Sequence, residues 1–273
     1  MNNLHRELAP ISDAAWDQIE EEASRTLKRY LAARRVVDVP DAKGSALAAV
    51  GTGHVEKIDA PADGIQAVWR QAMPLVELRV PFTLTRQAVD DVERGSEDSD
   101  WDPLKEAARK LAYAEDRAIF DGYAAAGIDG IRPGASNAAL ALPAAAMGYP
   151  EVVAKAVNAL RLAGVQGPYR LVLGADAYTT ISGGSEEGYP VLQHIQRLVD
   201  GDIVWAPAIA GGLVLTARGG DFALDLGQDV SIGFLSHSNT HIELYLQESF
   251  TFRLLTTEAA VALGAPGTPD LPG

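Results

Sequence analysis

The chain has no cysteine, which excludes a disulfide framework, a thiol nucleophile and a thiolate metal site and permits a reducing compartment. Basic charge is also short. Lys and Arg number 23 against 37 Asp and Glu, giving a net charge of −14 and a pI near 4.7. Such a chain lacks the basic face that releases counterions from nucleic acid or meets anionic lipid, so neither is expected as a partner. No apolar run approaches the roughly 18 residues that span a bilayer. The N-terminal stretch carries Glu7 and Asp13 and has no signal-peptide core, so a cytoplasmic location is expected.

Chemistry-bearing patterns are equally scarce. The five histidines are His5, His54, His194, His237 and His241. Only the last two are near neighbours, and a turn at Ser238-Asn239 would send them to opposite faces, short of the convergent ligands that zinc needs. Gly51-Thr-Gly53-His-Val-Glu56 ends in Glu where a dinucleotide fingerprint has its third glycine. Gly183-Gly184-Ser185-Glu186-Glu187 lacks the second glycine of a nucleophile elbow. The acidic run Glu93 to Asp102 lacks the spacing and glycine of a calcium loop. No catalytic residue, metal site or cofactor is therefore expected, and Glu115, on a helical stripe, reads as a paired structural carboxylate.

What is present is a series of faces that need covering. Asp13 to Arg35 reads as an amphipathic helix capped by Ser12 or Asp13, with Trp16, Ile19, Ala23, Leu27, Tyr30 and Arg34 three or four apart. Ser45 to Thr85 is extended, broken by Gly and Pro, and too thin to hold a core of its own. Asp102-Pro103 reads as cap and first helical residue of a helix up to Gly122, and Gly148 to Gly164 as another. Beyond Gly167-Pro168, strand-like pieces at Leu171 to Leu173, Ile203 to Trp205, Leu213 to Thr216 and Phe222 to Leu226 surround a helical Val191 to Val199, an α+β pattern. Ile242, Leu244, Leu246, Phe250, Phe252 and Leu254 then share one parity, broken only by Glu248. From Thr240 to Leu254 this strand would extend roughly 50 Å, which demands an elongated molecule or a bulge at Glu248.

Three segments carry a specific likeness: Val80-Pro-Phe-Thr-Leu-Thr-Arg-Gln-Ala-Val-Asp-Asp-Val-Glu-Arg-Gly95, Ala107-Ala-Arg-Lys-Leu-Ala-Tyr-Ala-Glu-Asp-Arg-Ala-Ile-Phe-Asp-Gly122 and Glu248-Ser-Phe-Thr-Phe-Arg-Leu-Leu-Thr-Thr-Glu-Ala-Ala-Val261. In order and spacing the chain resembles the family of bacterial encapsulin shell proteins, older descriptions of which speak of linocin-like bacteriocins. The resemblance implies an α+β, tailed-phage major-capsid-protein fold with a peripheral domain, an axial domain and an extended loop. The expected boundaries are a luminal N-terminal helix at 1–36, a peripheral domain at 37–44, 80–130 and 228–264, the extended loop at 45–79, the axial domain at 131–227 and a disordered tail at 265–273. It also favours the elongated molecule, with the long strand beside a spine helix.

Family members close into icosahedral nanocompartments, and a chain of this length implies about sixty copies. The enclosed cargo, a dye-decolourising peroxidase or a ferritin-like protein, brings the cofactors and is held by a C-terminal targeting peptide. By resemblance, Ile19, Leu27, Arg34, Asp38, Asp229 and Ile232 form the cargo groove, and Glu186, Glu187 and Tyr189 lie on a pore loop. A phage or prophage capsid protein is an alternative, disfavoured because the chain starts almost directly with its helix and not with a scaffolding segment. A bacteriocin or protease is an alternative of another class.

Overall fold

Ser12 opens the first helix: its Oγ accepts the Ala15 N–H at 3.3 Å. The helix runs Asp13–Tyr30, five residues short of the Arg35 expected from its stripe. The physical reason lies far along the chain. The Asp116 carboxylate takes the amide hydrogens of Ala32 and Ala33, at 3.1 and 2.9 Å, and the backbone tightens into a 3-10 turn over Ala33–Arg35. This computed structural model describes residues 3–186 and 189–265.

The spine helix is Asp102–Phe120. Asp102 is its first residue and not its cap. The neighbouring Asp100 takes the Asp102 amide hydrogen at 3.0 Å, and the Asp102 carboxylate turns to Lys105 at 2.9 Å. Ahead of the spine, Thr85 caps a short helix, Arg86–Glu93, through the Ala88 amide.

Alongside lies the long strand, His241–Leu254, whose fourteen residues span about 46 Å at the usual rise. On one side it pairs without interruption with Val76–Thr85, from His241 opposite Thr85 to Phe250 opposite Val76. On the other it pairs first with Ser231–His237 and then with Phe222–Leu226. Glu248 therefore sits in regular register opposite Leu78, with no bulge. The irregularity falls in the neighbouring strand, between Phe234 and Ser236. The turn joining these two strands also differs from expectation: His237 stands opposite Ile242, so the central residues are Asn239 and Thr240. The Ser238 N–H closes the turn on the His241 carbonyl at 2.8 Å.

Three buried clusters follow from these pairings. Leu104, Ala108 and Leu111 of the spine meet Ile242, Leu244 and Leu246 of the long strand under the first helix. Ile119 and Phe120 meet Phe250 and Phe252 in a second core. Glu115 and Glu248 occupy the seam between the two. A five-stranded mixed sheet covers the second core with one face and a third core with the other. Parity divides its strand Tyr169–Leu173 between them, Val172 to the second core and Leu171 and Leu173 to the third. The helices Tyr149–Leu162, Ala175–Gly183 and Val191–Val199 pack on the third.

Hydrogen bonding cuts across the expected boundaries at two places. Phe222–Leu226, within the range that the resemblance gives to the axial unit, is zipped to the long strand. Ala260–Gly264, assigned to the peripheral unit, joins the five-stranded sheet between Gly212–Thr216 and Leu140–Ala141. Chain order does not reveal which edge a strand finds. The extended loop is an antiparallel ribbon, Ala49–Ile58 with Ala67–Pro74, shifted in register between Gly51 and Val55. Several of its apolar side chains are left bare: Trp69 is 67% and Val55 58% exposed. Among the described residues no helix is long and apolar enough to cross a membrane, and all but the first residue of the expected tail, 265–273, lies outside them.

Candidate docking groove

A groove of about 620 Å³ runs between the first helix and the segment Asp229 to Ile232. One wall is a single helix face: Glu20, Ser24, Leu27, Lys28 and Leu31 recur at steps of three or four, with Ala23 beside them. The other is the start of the strand Ser231–His237, where Ile232 and, from the long strand behind it, Leu246 lie at the base of the groove, both buried.

The N-terminal segment closes one end. The Leu4 carbonyl accepts the Phe234 N–H at 2.8 Å, and Tyr245 Oη donates to the Asn3 carbonyl at 3.1 Å. Arg6 lies 4.1 Å over the Trp16 ring and pairs with Glu20. Leu4 is buried and lines the groove.

At the other end stands Arg34. Its Nε donates to both oxygens of Glu115, at 2.9 and 3.0 Å, and its Nη2 to Glu115 Oε2 at 2.5 Å and Glu248 Oε2 at 3.1 Å. Nη1 donates to Asp229 at 2.7 Å. The turn Ala33–Arg35 aims this side chain into the seam between the two cores, where Glu115 and Glu248 have no exposed side-chain surface. Burial works against the arginine charge, but the hydrogen bonds and charges of Glu115 and Asp229 prevail and hold the guanidinium above its ordinary range. Burial, reinforced by the adjacent Glu115, pushes Glu248 well above the usual carboxylate range. Two carboxyl groups and one arginine thus share a site too dry for two uncompensated charges.

Of the residues expected to form the groove, Leu27, Arg34, Asp229 and Ile232 line it. Ile19 does not. It is fully buried in the first core. Asp38 is elsewhere too: its amide and carbonyl bond to Phe222 and Leu224, and its carboxylate accepts the Gly220 N–H at 2.6 Å. Leu4, Arg6, Lys28 and Arg35 were missed as lining residues. Lys28 was legible, because it falls on the Ser24, Leu27, Leu31 face. The N-terminal segment carries no periodicity that would have placed it. On the expected pore loop, Tyr189 is partly exposed beneath the Arg197 guanidinium, 5.4 Å from its ring centroid. Glu187 and the Glu186 side chain lie outside the described residues.

The groove combines aliphatic side chains with charges that stand mostly in pairs. Comparison with known proteins places the chain in a family. The model of the Linocin_M18 family, described as encapsulating protein for peroxidase, matches residues 1–251. A type 1 encapsulin shell protein of Mycolicibacterium paratuberculosis is 60% identical over 263 residues, covering 96% of this chain and 99% of the relative. That of Mycobacterium tuberculosis is 58% identical, with 96% and 99% covered. Among solved structures, the virus-like particle of Pyrococcus furiosus superposes with a TM-score of 0.64 at 15% identity, covering 90% of this chain and 98% of that one. The capsid of Myoviridae phage XM1 gives 0.57 at 10% identity, with 86% and 92% covered. These two establish the capsid fold, and the close relatives establish the kinship: this chain belongs to the Linocin_M18 family of encapsulating proteins, as a type 1 encapsulin shell protein.

Proposed function

We propose that copies of this chain close into a hollow icosahedral shell, about sixty in the smallest arrangement, which holds a peroxidase or a ferritin-like protein in the bacterial cytoplasm. The groove, facing the lumen, docks a short peptide at the cargo's C-terminus. The ribbon carries the assembly reading. An isolated two-stranded ribbon is marginal in water, and this one exposes Val55, Ile58, Val68 and Trp69. Cover from a neighbouring subunit, on the order of 2,000 Å² in obligate contacts, accounts for its persistence.

Analytical ultracentrifugation at low micromolar concentration tests assembly: a megadalton particle is expected, and a stable monomer or dimer as the sole species overturns the reading. For docking, Leu27→Asp with Ile232→Asp should give shells of normal size that purify empty. Cargo at the wild-type ratio in that variant would place the docking site elsewhere.

A further inference from the structure

We propose that the groove selects an extended, apolar peptide bearing an acidic residue beside its apolar core, with the acid held at the rim formed by Lys28 and Arg35. The inference deepens the reading of the groove as a cargo-docking site and rests on it.

Charge accounting within the groove carries the argument. Its charged side chains are Arg6, Glu20, Lys28, Arg34, Arg35 and Asp229. Arg6 is committed to Glu20, and Arg34 to Asp229 as well as to the two buried carboxyl groups behind it. Arg34 is therefore already held by carboxyl groups of the chain itself. Among the described residues, Lys28 and Arg35 are left exposed and without an ion pair. In a chain of net charge −14, two unpaired cations on one rim form a local field that a cargo peptide of opposite sign complements.

Backbone geometry sets the peptide's conformation. The strand Ser231–His237 pairs with the long strand on one side only, and the Phe234 N–H points to the other, where Leu4 accepts it. Antiparallel alternation turns the Ile232 N–H and carbonyl to the same open edge, beside the groove. An extended peptide adds to that edge as a short strand and places alternate side chains against Leu27, Leu31 and Ile232. The N-terminal segment blocks continuation past Phe234.

The test is made on shells co-expressed with a monomeric fluorescent reporter. The reporter carries a ten-residue tail of alternating leucine and serine, flanked on either side by two Asp, two Asn or two Lys. Reporter per subunit is measured in purified shells. The Asp tail should load roughly three- to tenfold more than the Asn tail, as two rim pairs of ordinary strength allow, and the Lys tail least. Lys28→Gln with Arg35→Gln should level the three, and Lys28→Glu with Arg35→Glu should invert their order. Equal loading of all three tails, or an unchanged order in the charge-reversed shell, overturns the acid preference provided that Leu27→Asp still abolishes loading. If no tail loads, or if loading survives Leu27→Asp, the groove reading fails and this inference with it.

Discussion

Ala33 donates its amide hydrogen to Asp116 at 2.9 Å across 83 positions of sequence. That bond, with its companion from Ala32, stops the first helix and points Arg34 into the seam. Burial pushes the Asp116 carboxyl up to about 8, against the opposing pull of the two amide donors. An acid whose pKa rises on folding contributes stability that is fully present below its unfolded value and lost as pH rises through the folded one. Glu248 acts in the same direction. Thermal midpoints of the shell should therefore fall between pH 5 and pH 8.5, at a slope of at most about 1.4 kcal/mol per pH unit for each group. Asp116→Asn should lower the midpoint at pH 6 and flatten that slope. An undiminished slope in the variant would remove Asp116 from the account.

Glu115 and Glu248 look alike in sequence and should behave differently on substitution. Burial and the neighbouring Glu115 disfavour the charged form of Glu248, so the neutral, isosteric Glu248→Gln should cost less than about 1 kcal/mol. Glu115 is the acceptor of the arginine fork, and Glu115→Gln leaves Arg34 short of a buried counter-charge, with a loss of roughly 3 to 5 kcal/mol. Urea unfolding at pH 7 distinguishes them, and equal losses would contradict the asymmetry.

Gly233 is fixed by Tyr245. A Cβ at position 233 would stand 2.1 Å from the Tyr245 ring carbon Cζ. The ring is held in place by Arg79, 4.2 Å over its centroid, and by its hydroxyl on Asn3. Gly233→Ala should thus cost on the order of 1 to 3 kcal/mol through overpacking. In Tyr245→Ala the same substitution should cost much less. A double-mutant cycle with no coupling energy would show that the ring does not impose the glycine.

The ribbon should matter to assembly far more than to the fold of the subunit. Its strand residues are largely exposed, with Val50 the exception. Replacing residues 51–72 by a short Gly-Ser turn should leave near-native circular dichroism while sedimentation falls from megadalton particles to small species. Intact shells without the ribbon would assign assembly to other surfaces.

Much of this was legible in the chain because local periodicity reports burial. The parity of Ile242, Leu244, Leu246, Phe250 and Phe252 specified a strand with one covered face, and the three- and four-residue steps of Leu104, Ala108, Leu111 and Ile119 a helix to cover it. Motif order pointed to the family and its capsid fold. Tertiary structure alone decided where long-range partners intervene. Asp116 ends a helix that its own stripe would have continued to Arg35. Glu248 breaks an apolar series because two cores meet there, around an arginine more than 200 positions away. Ile19 and Leu27, alike in spacing, both pack in the first core, but only Leu27 also lines the groove. Propensity and pattern act over a few residues; the pairing of an amide, a carboxyl group or a strand edge with a distant segment depends on packing of the whole chain.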